Sequence, residues 1–174
     1  MLLRPETVCK TVFLRGNHET MMLQARDDPT ESNFWQSYGG FNTLVSYRAS
    51  LRNDWATVIP EAHWKFLERT VRSFETPRHI FVHASLAADL DLPDQPDWLL
   101  QWGPFDGTKP HKSGKRMICG HTPQPGGYPK DLGFAVCIDT APAAHGWLTC
   151  LEAETGRYWQ ANQSGAVRKG RAKR

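Results

Sequence analysis

Histidines stand just beyond three separate apolar runs. The runs at 11–14, 78–82 and 115–119 read as buried strands, and His18, His83 and His121 follow within a few residues of their ends. Open α/β sheets assemble their sites at strand ends, so these three side chains can converge. Neutral imidazole is the commonest protein ligand for transition metals, and an Asn side chain adds a neutral oxygen suited to manganese, iron or zinc. Asn17, His83 and His121 form a plausible ligand set. His18 adjoins one of its members and is available to transfer a proton. A metal-activated hydroxide, with an imidazole protonating the leaving oxygen, suffices to hydrolyse a phosphate ester. The other histidines read as structural: His63 and His79 as satisfied or surface residues, His111 and His145 as loop residues.

The elements around these residues follow from periodicity and punctuation. The loop 16–19 carries Asn17 and His18 and opens a helix reaching Arg26. A second helix is expected over 40–52. A third, over 60–74, begins with Pro60-Glu61 and places Trp64, Leu67, Val71 and Phe74 on one face. Thr76-Pro77 ends it. The stretch 90–114 is rich in Pro, Asp and Gly, holds a short apolar turn at 98–102, and reads as a long surface excursion. A strand at 134–138 leads into Asp139-Thr140. The runs 146–153 and 157–161 flank Glu154-Thr155-Gly156 as a β-hairpin.

A length of 174 residues with 40% hydrophobic content can build a core and argues against disorder. The formal net charge of +3 belongs to the end of the chain: without Arg168, Lys169, Arg171, Lys173 and Arg174 there are 16 basic against 18 acidic residues. The division expected is a body over 1–164 and a disordered basic tail over 165–174. Cys9, Cys119, Cys137 and Cys150 show no CxxC pairing, and three of them lie in apolar runs, as core thiols in a reducing compartment would. No stretch approaches the roughly 18 apolar residues of a membrane span, and the first residues are not those of a signal peptide. A cytoplasmic protein without membrane contacts is expected. Nucleic acid is disfavoured as a partner, because the seven Trp do not interleave with basic residues.

Several strings resemble motifs of one family. Gly16-Asn17-His18-Glu19 resembles the GNHE motif of the calcineurin-like metallophosphoesterases, in the serine/threonine phosphoprotein phosphatase branch of bacterial and phage type. Gly39-Gly40 with Thr43-Leu44 and Ser46-Tyr47 resembles the stretch that follows it. Phe81-Val82-His83-Ala84 resembles VHAG, Gly120-His121-Thr122-Pro123 resembles GHTP, and Ile138-Asp139-Thr140 resembles IDTG. The order and approximate spacings agree up to about Ala161. The resemblance implies an α/β fold, a four-layer α/β/β/α sandwich. It also implies a dinuclear site, most often of manganese, with iron or zinc possible. By position, Asn17, His83 and His121 become ligands of one metal and His18 the general acid. Arg15 and Arg116 are the candidates for gripping phosphate. Phosphoproteins or phosphorylated small molecules are the implied substrates. Two further readings stand beside this one: diadenosine polyphosphate hydrolysis at the same site, and a non-catalytic remnant.

Three departures qualify the resemblance. The family's GDxHG and GDxxDRG strings, upstream of GNHE, have no counterpart here, so the expected chain is N-terminally truncated and its sheet lacks its first strands. The ligands that remain carry no anion, and two cations without a bridging carboxylate repel strongly. Where relatives read LLWxR, this chain reads Leu99-Leu100-Gln101-Trp102-Gly103, leaving Arg116 or Lys109 to supply the missing cation. Ser85 and Ala141 replace glycines, which suggests altered turns.

Overall fold

The computed structural model describes residues 10–172. Cys9 and the terminal Lys173 and Arg174 lie outside them. Where the sequence suggests one body over 1–164, the chain divides into two compact units, one ending at Val71 and the other beginning at Arg72.

The first unit is helical. Helix α1 (Asn17–Asp27) is followed by α2 (Ser32–Trp35), a π-turn over Gln36–Gly40, α3 (Phe41–Ser46), α4 (Trp55–Val58) and α5 (Glu61–Glu68). Its core gathers Met21, Leu23, Trp35, Leu44, Trp55, Ile59 and Trp64. Trp35 and Trp55 pack at 4.9 Å between ring centroids, and Trp55 and Trp64 at 6.1 Å. The helix expected over 40–52 stops at Ser46, because Arg48 turns left-handed (φ 57) and Ala49 N–H closes back on the Leu44 carbonyl at 2.8 Å.

The helix expected over 60–74 also stops early, at Glu68. Its continuation would need the Leu67 carbonyl to accept from Val71 N–H. That carbonyl instead accepts from Thr70 Oγ1 (2.6 Å) and Arg15 Nη2 (3.1 Å). Val71 N–H donates to the Phe13 carbonyl at 2.9 Å, and Phe74 passes into a strand. The run 11–14 is correspondingly reduced from an expected strand to one parallel bridge, Leu14 with Val71.

The second unit is mixed α/β. Strands β1 (Ser73–Glu75), β2 (His79–Val82), β3 (Arg116–Cys119), β4 (Lys130–Asp131) and β5 (Ala135–Cys137) form one sheet in the order β1-β2-β3-β5-β4. The central β2, β3 and β5 are parallel, and the edge strands run antiparallel to them. Near-continuous apolar runs suit such central strands. Helix α6 (Asp97–Trp102) lies in the β2–β3 connection. This connection is a correction to the surface excursion read over 90–114: Leu100 and Phe105 are 1% and 0% exposed, in one core with Ile80, Val82, Met117 and Ala135. Gln95, also buried, exchanges bonds with the Ala87 N–H and carbonyl at 2.7 and 2.8 Å.

A second sheet contains β6 (Trp147–Leu151), β7 (Arg157–Asn162) and β8 (Val167–Arg171), all antiparallel. The first two are the expected hairpin. The third corrects the disordered tail: Arg168 lies 4.0 Å from the centroids of both Tyr128 and Trp147, and its Nε donates to Gln160 Oε1 at 2.7 Å. A guanidinium held over two rings is stabilising by cation–π attraction. Among the described residues, no helix is long and apolar enough to cross a membrane. Arg168→Ala should cost about 1–2 kcal/mol, read as a lower urea midpoint with faster amide exchange in β8.

Candidate functional site

The first unit carries Asn17 and His18 on the opening turn of α1. Gly16 is extended (φ −99, ψ 179) at the N-cap, and its N–H donates to Glu19 Oε2 at 2.8 Å. The Glu of the GNHE string thus satisfies an otherwise unpaired donor at the helix start. This fixes the turn so that Asn17 is 3% exposed while His18 is turned to the surface. The π-turn comes back to this point: a Cβ on Gly39 would sit 3.8 Å from His18 Cε1.

Arg15, next to these residues in sequence, is occupied with the end of α5. Its Nε donates to Thr70 Oγ1 at 2.9 Å, and its Nη2 to the carbonyls of Leu67 (3.1 Å) and Glu68 (2.8 Å). A cation on the last carbonyls of a helix caps them and complements their dipole.

The second unit brings His83 and His121 together. They follow the parallel neighbours β2 and β3, and the ladder continues past the strands, with Gly120 N–H donating to the His83 carbonyl at 2.8 Å. Behind His83, the N–H groups of Ala84 and Ser85 donate to the carbonyls of Leu100 (2.8 Å) and Leu99 (3.2 Å) on α6. His121 has φ 63, and Thr122 N–H donates across it to the Gly120 carbonyl at 2.7 Å. That is a tight three-residue turn with its central side chain in the left-handed region, a conformation costing on the order of 1–3 kcal/mol that its surroundings must enforce. They do so at several points. Cys137 Sγ donates to the carbonyls of Gly120 (3.4 Å) and Thr122 (3.3 Å), and Thr122 Oγ1 accepts from Phe105 N–H at 3.0 Å. The result is a hydrogen bond of 3.1 Å between His83 Nε2 and His121 Nδ1.

Trp102, which the sequence did not single out, stands edge-on to His121, with centroids 5.9 Å apart and planes at 82°. Its signal is its place in the LLWxR-like segment, which lacks the arginine. The following Gly103 is required by crowding, since a Cβ there would meet Leu99 O at 2.6 Å and Ser85 Cβ at 2.8 Å. Ser85, in a glycine position of the family, is buried and bonds Thr108 Oγ1 at 3.0 Å. Ala141, in the other, keeps a left-handed conformation (φ 58, ψ 46), its N–H held by Asp139 Oδ1 at 2.9 Å. Arg116 opens β3, at the strand end opposite to that from which His121 follows, and pairs with the buried carboxylate of Asp131 at 2.7 Å.

Cys119 and Cys137 are register partners on β3 and β5, both buried, as expected of core thiols. Contact with Cys137, and burial, push the Cys119 thiol far up, so it stays protonated. Cys150 differs from that expectation in being exposed. His63 is satisfied by Tyr47 Oη at 2.6 Å, and His111 is buried rather than a loose loop residue, bonding the Leu90 carbonyl at 2.8 Å.

Two imidazole nitrogens 3.1 Å apart fit adjacent positions around one cation, since ligands at 2.0–2.1 Å are separated by about 3 Å when roughly perpendicular. The donor pair therefore suits a borderline divalent metal. Among the described residues, no group of three or more His, Cys, Asp or Glu could hold a metal ion.

No family model matches this sequence, and no curated protein matches it. A solved structure does. A protein provisionally assigned as a diadenosine tetraphosphatase superposes with a TM-score of 0.54 at 14% identity, over 94% of this chain and 69% of that one. At that identity the likeness concerns the fold. The chain has a mixed α/β fold with helices and a mixed sheet, an architecture it shares with that protein.

Two substitutions test the local geometry. Arg15→Ala should cost about 1–2 kcal/mol through the uncapped helix end and lower the melting temperature; an unchanged Tm with weaker phosphate binding would instead mark a ligand contact. Ala141→Gly should relieve left-handed strain and raise stability by about 0.5 kcal/mol, after the larger chain entropy of Gly is set against it.

Proposed function

We propose that the chain belongs to a metal-dependent phosphoester hydrolase. The single observation that carries this reading is the pair of imidazole nitrogens held 3.1 Å apart by His83 and His121 beyond parallel strand ends. In this reading His83 and His121 hold a divalent cation, manganese by preference, and the GNHE-like string, by resemblance alone, names Asn17 as a third ligand. The cation would supply Lewis-acid polarisation of a phosphoryl group and acidify water. By the same resemblance His18, exposed at the start of α1, is the group that protonates the departing oxygen. Trp102 limits the swing of the His121 ring and removes water from one side of it.

The order of the GNHE-, VHAG-, GHTP- and IDTG-like strings supports a phosphoserine or phosphothreonine protein as substrate. A second reading, hydrolysis of a dinucleoside polyphosphate, is favoured by the fold likeness to the protein provisionally assigned as a diadenosine tetraphosphatase. The experiment is hydrolysis of p-nitrophenyl phosphate, a phosphoserine peptide and diadenosine tetraphosphate, each with and without manganese. Manganese-dependent turnover is expected, with kcat falling about 10²–10⁴-fold in His18→Ala and the metal dependence lost in His83→Ala and His121→Ala. The preferred substrate separates the two readings, and absence of turnover on all three favours a non-catalytic remnant.

A further inference from the structure

The segment leading to Gly39, whose backbone approaches the His18 ring, carries two exposed aromatic rings. Phe34 and Tyr38 are 46% and 50% exposed, and their centroids lie 4.7 Å apart with planes inclined at 43°. Two large aromatic side chains paired at the surface call for an explanation that a core does not provide. Their placement follows from the backbone. Phe34 lies on α2 and Tyr38 in the π-turn, where Tyr38 leaves helical geometry (φ −98, ψ 28) and Gly39 turns to φ 100. The left-handed Gly39 reverses the chain against His18, with its missing Cβ position 3.8 Å from His18 Cε1. Tyr38 therefore stands one residue from the point at which the π-turn meets the imidazole. A buried anchor keeps the turn in place: Trp35 is 2% exposed, and a Cβ on Gly40 would collide with its ring at 2.4 Å.

We propose that Phe34 and Tyr38 form a stacking platform for the nucleobase of a nucleotide whose phosphate chain lies at His18. This rests on the reading of His18 as facing a phosphoester. Aromatic faces recognise any nucleobase by stacking, at a cost of about 1–3 kcal/mol per base when the ring is removed, equivalent to about 5–150-fold in affinity. Phe34 carries no polar group, so the platform selects for a planar base over a phosphorylated Ser or Thr side chain, which has no π-face. The substrate class it favours is nucleoside polyphosphates, including those with a base at each end.

The test is equilibrium binding to the intact chain without divalent metal, by titration calorimetry, of diadenosine tetraphosphate and of inorganic tripolyphosphate as a probe lacking the base. The dinucleotide is expected to bind at least about tenfold more tightly than tripolyphosphate. Phe34→Leu and Tyr38→Leu should each remove most of that difference and leave tripolyphosphate unchanged, whereas Phe34→Tyr should retain it. Both side chains are exposed, so an unchanged melting temperature is expected and should be checked for each variant. Equal affinity for the two probes, no dinucleotide binding at millimolar concentration, or leucine variants that bind the dinucleotide like the parent would each overturn the proposal. Base-dependent binding without manganese-dependent hydrolysis would remove the enzymatic reading and leave the platform standing.

Discussion

The parallel ladder of β2, β3 and β5 is the constraint on which the second unit depends. Parallel strands deliver their following residues to one edge, and here the hydrogen bonding runs on beyond the strands, through Gly120 N–H to the His83 carbonyl and Ile138 N–H to the Cys119 carbonyl, each at 2.8 Å. The loops after three strands are thereby locked into register with one another. The two histidines meet because their backbones are already joined, and the 3.1 Å hydrogen-bonding contact of their rings is added to that.

That locking also explains where strain can be stored. His121 and Ala141 both have positive φ, and both lie in segments whose neighbours are fixed on two sides. The turn at His121 is gripped by Cys137 Sγ and by Phe105 N–H on Thr122 Oγ1. A thiol in this place is a small core residue with an additional weak donor. Burial of Leu100 and Phe105 in the same core draws the β2–β3 connection inward and carries Trp102 to the edge of His121.

Much of this was legible in the sequence. The strands ending before His83 and His121, the strand before Asp139 and the hairpin all announced themselves as short apolar runs bounded by turn residues, and periodicity needs nothing else in such cases. The errors share a cause in side chains that act over long separations. Residues 60–74 carry a helical pattern, but Arg15 and Thr70 take the carbonyls that would extend it, and no local signal reports a cap supplied from 52 residues away. The basic end of the chain looked unstructured by charge; Arg168 is ordered by two rings and a glutamine, none adjacent to it. Segment 90–114 looked polar because Pro, Asp and Gly outnumber the few apolar residues that actually anchor it. Composition weighs residues equally, whereas Leu100 and Phe105 decide the path of the chain.

The distribution of tryptophan gives each unit its own optical signature. Trp35, Trp55 and Trp64 form a packed cluster in the first unit, all at most 7% exposed. In the second, Trp98, Trp102 and Trp159 are 64%, 36% and 45% exposed, and Trp147 is half-buried under Arg168. Emission from the first group is therefore shifted to the blue and shielded from iodide or acrylamide, and close ring packing couples its near-ultraviolet transitions. The second group emits further to the red and is quenched readily. Loss of order in the helical unit and loss of order in the mixed-sheet unit can consequently be followed as separate spectral changes in the unmodified protein, without a label or an added chromophore.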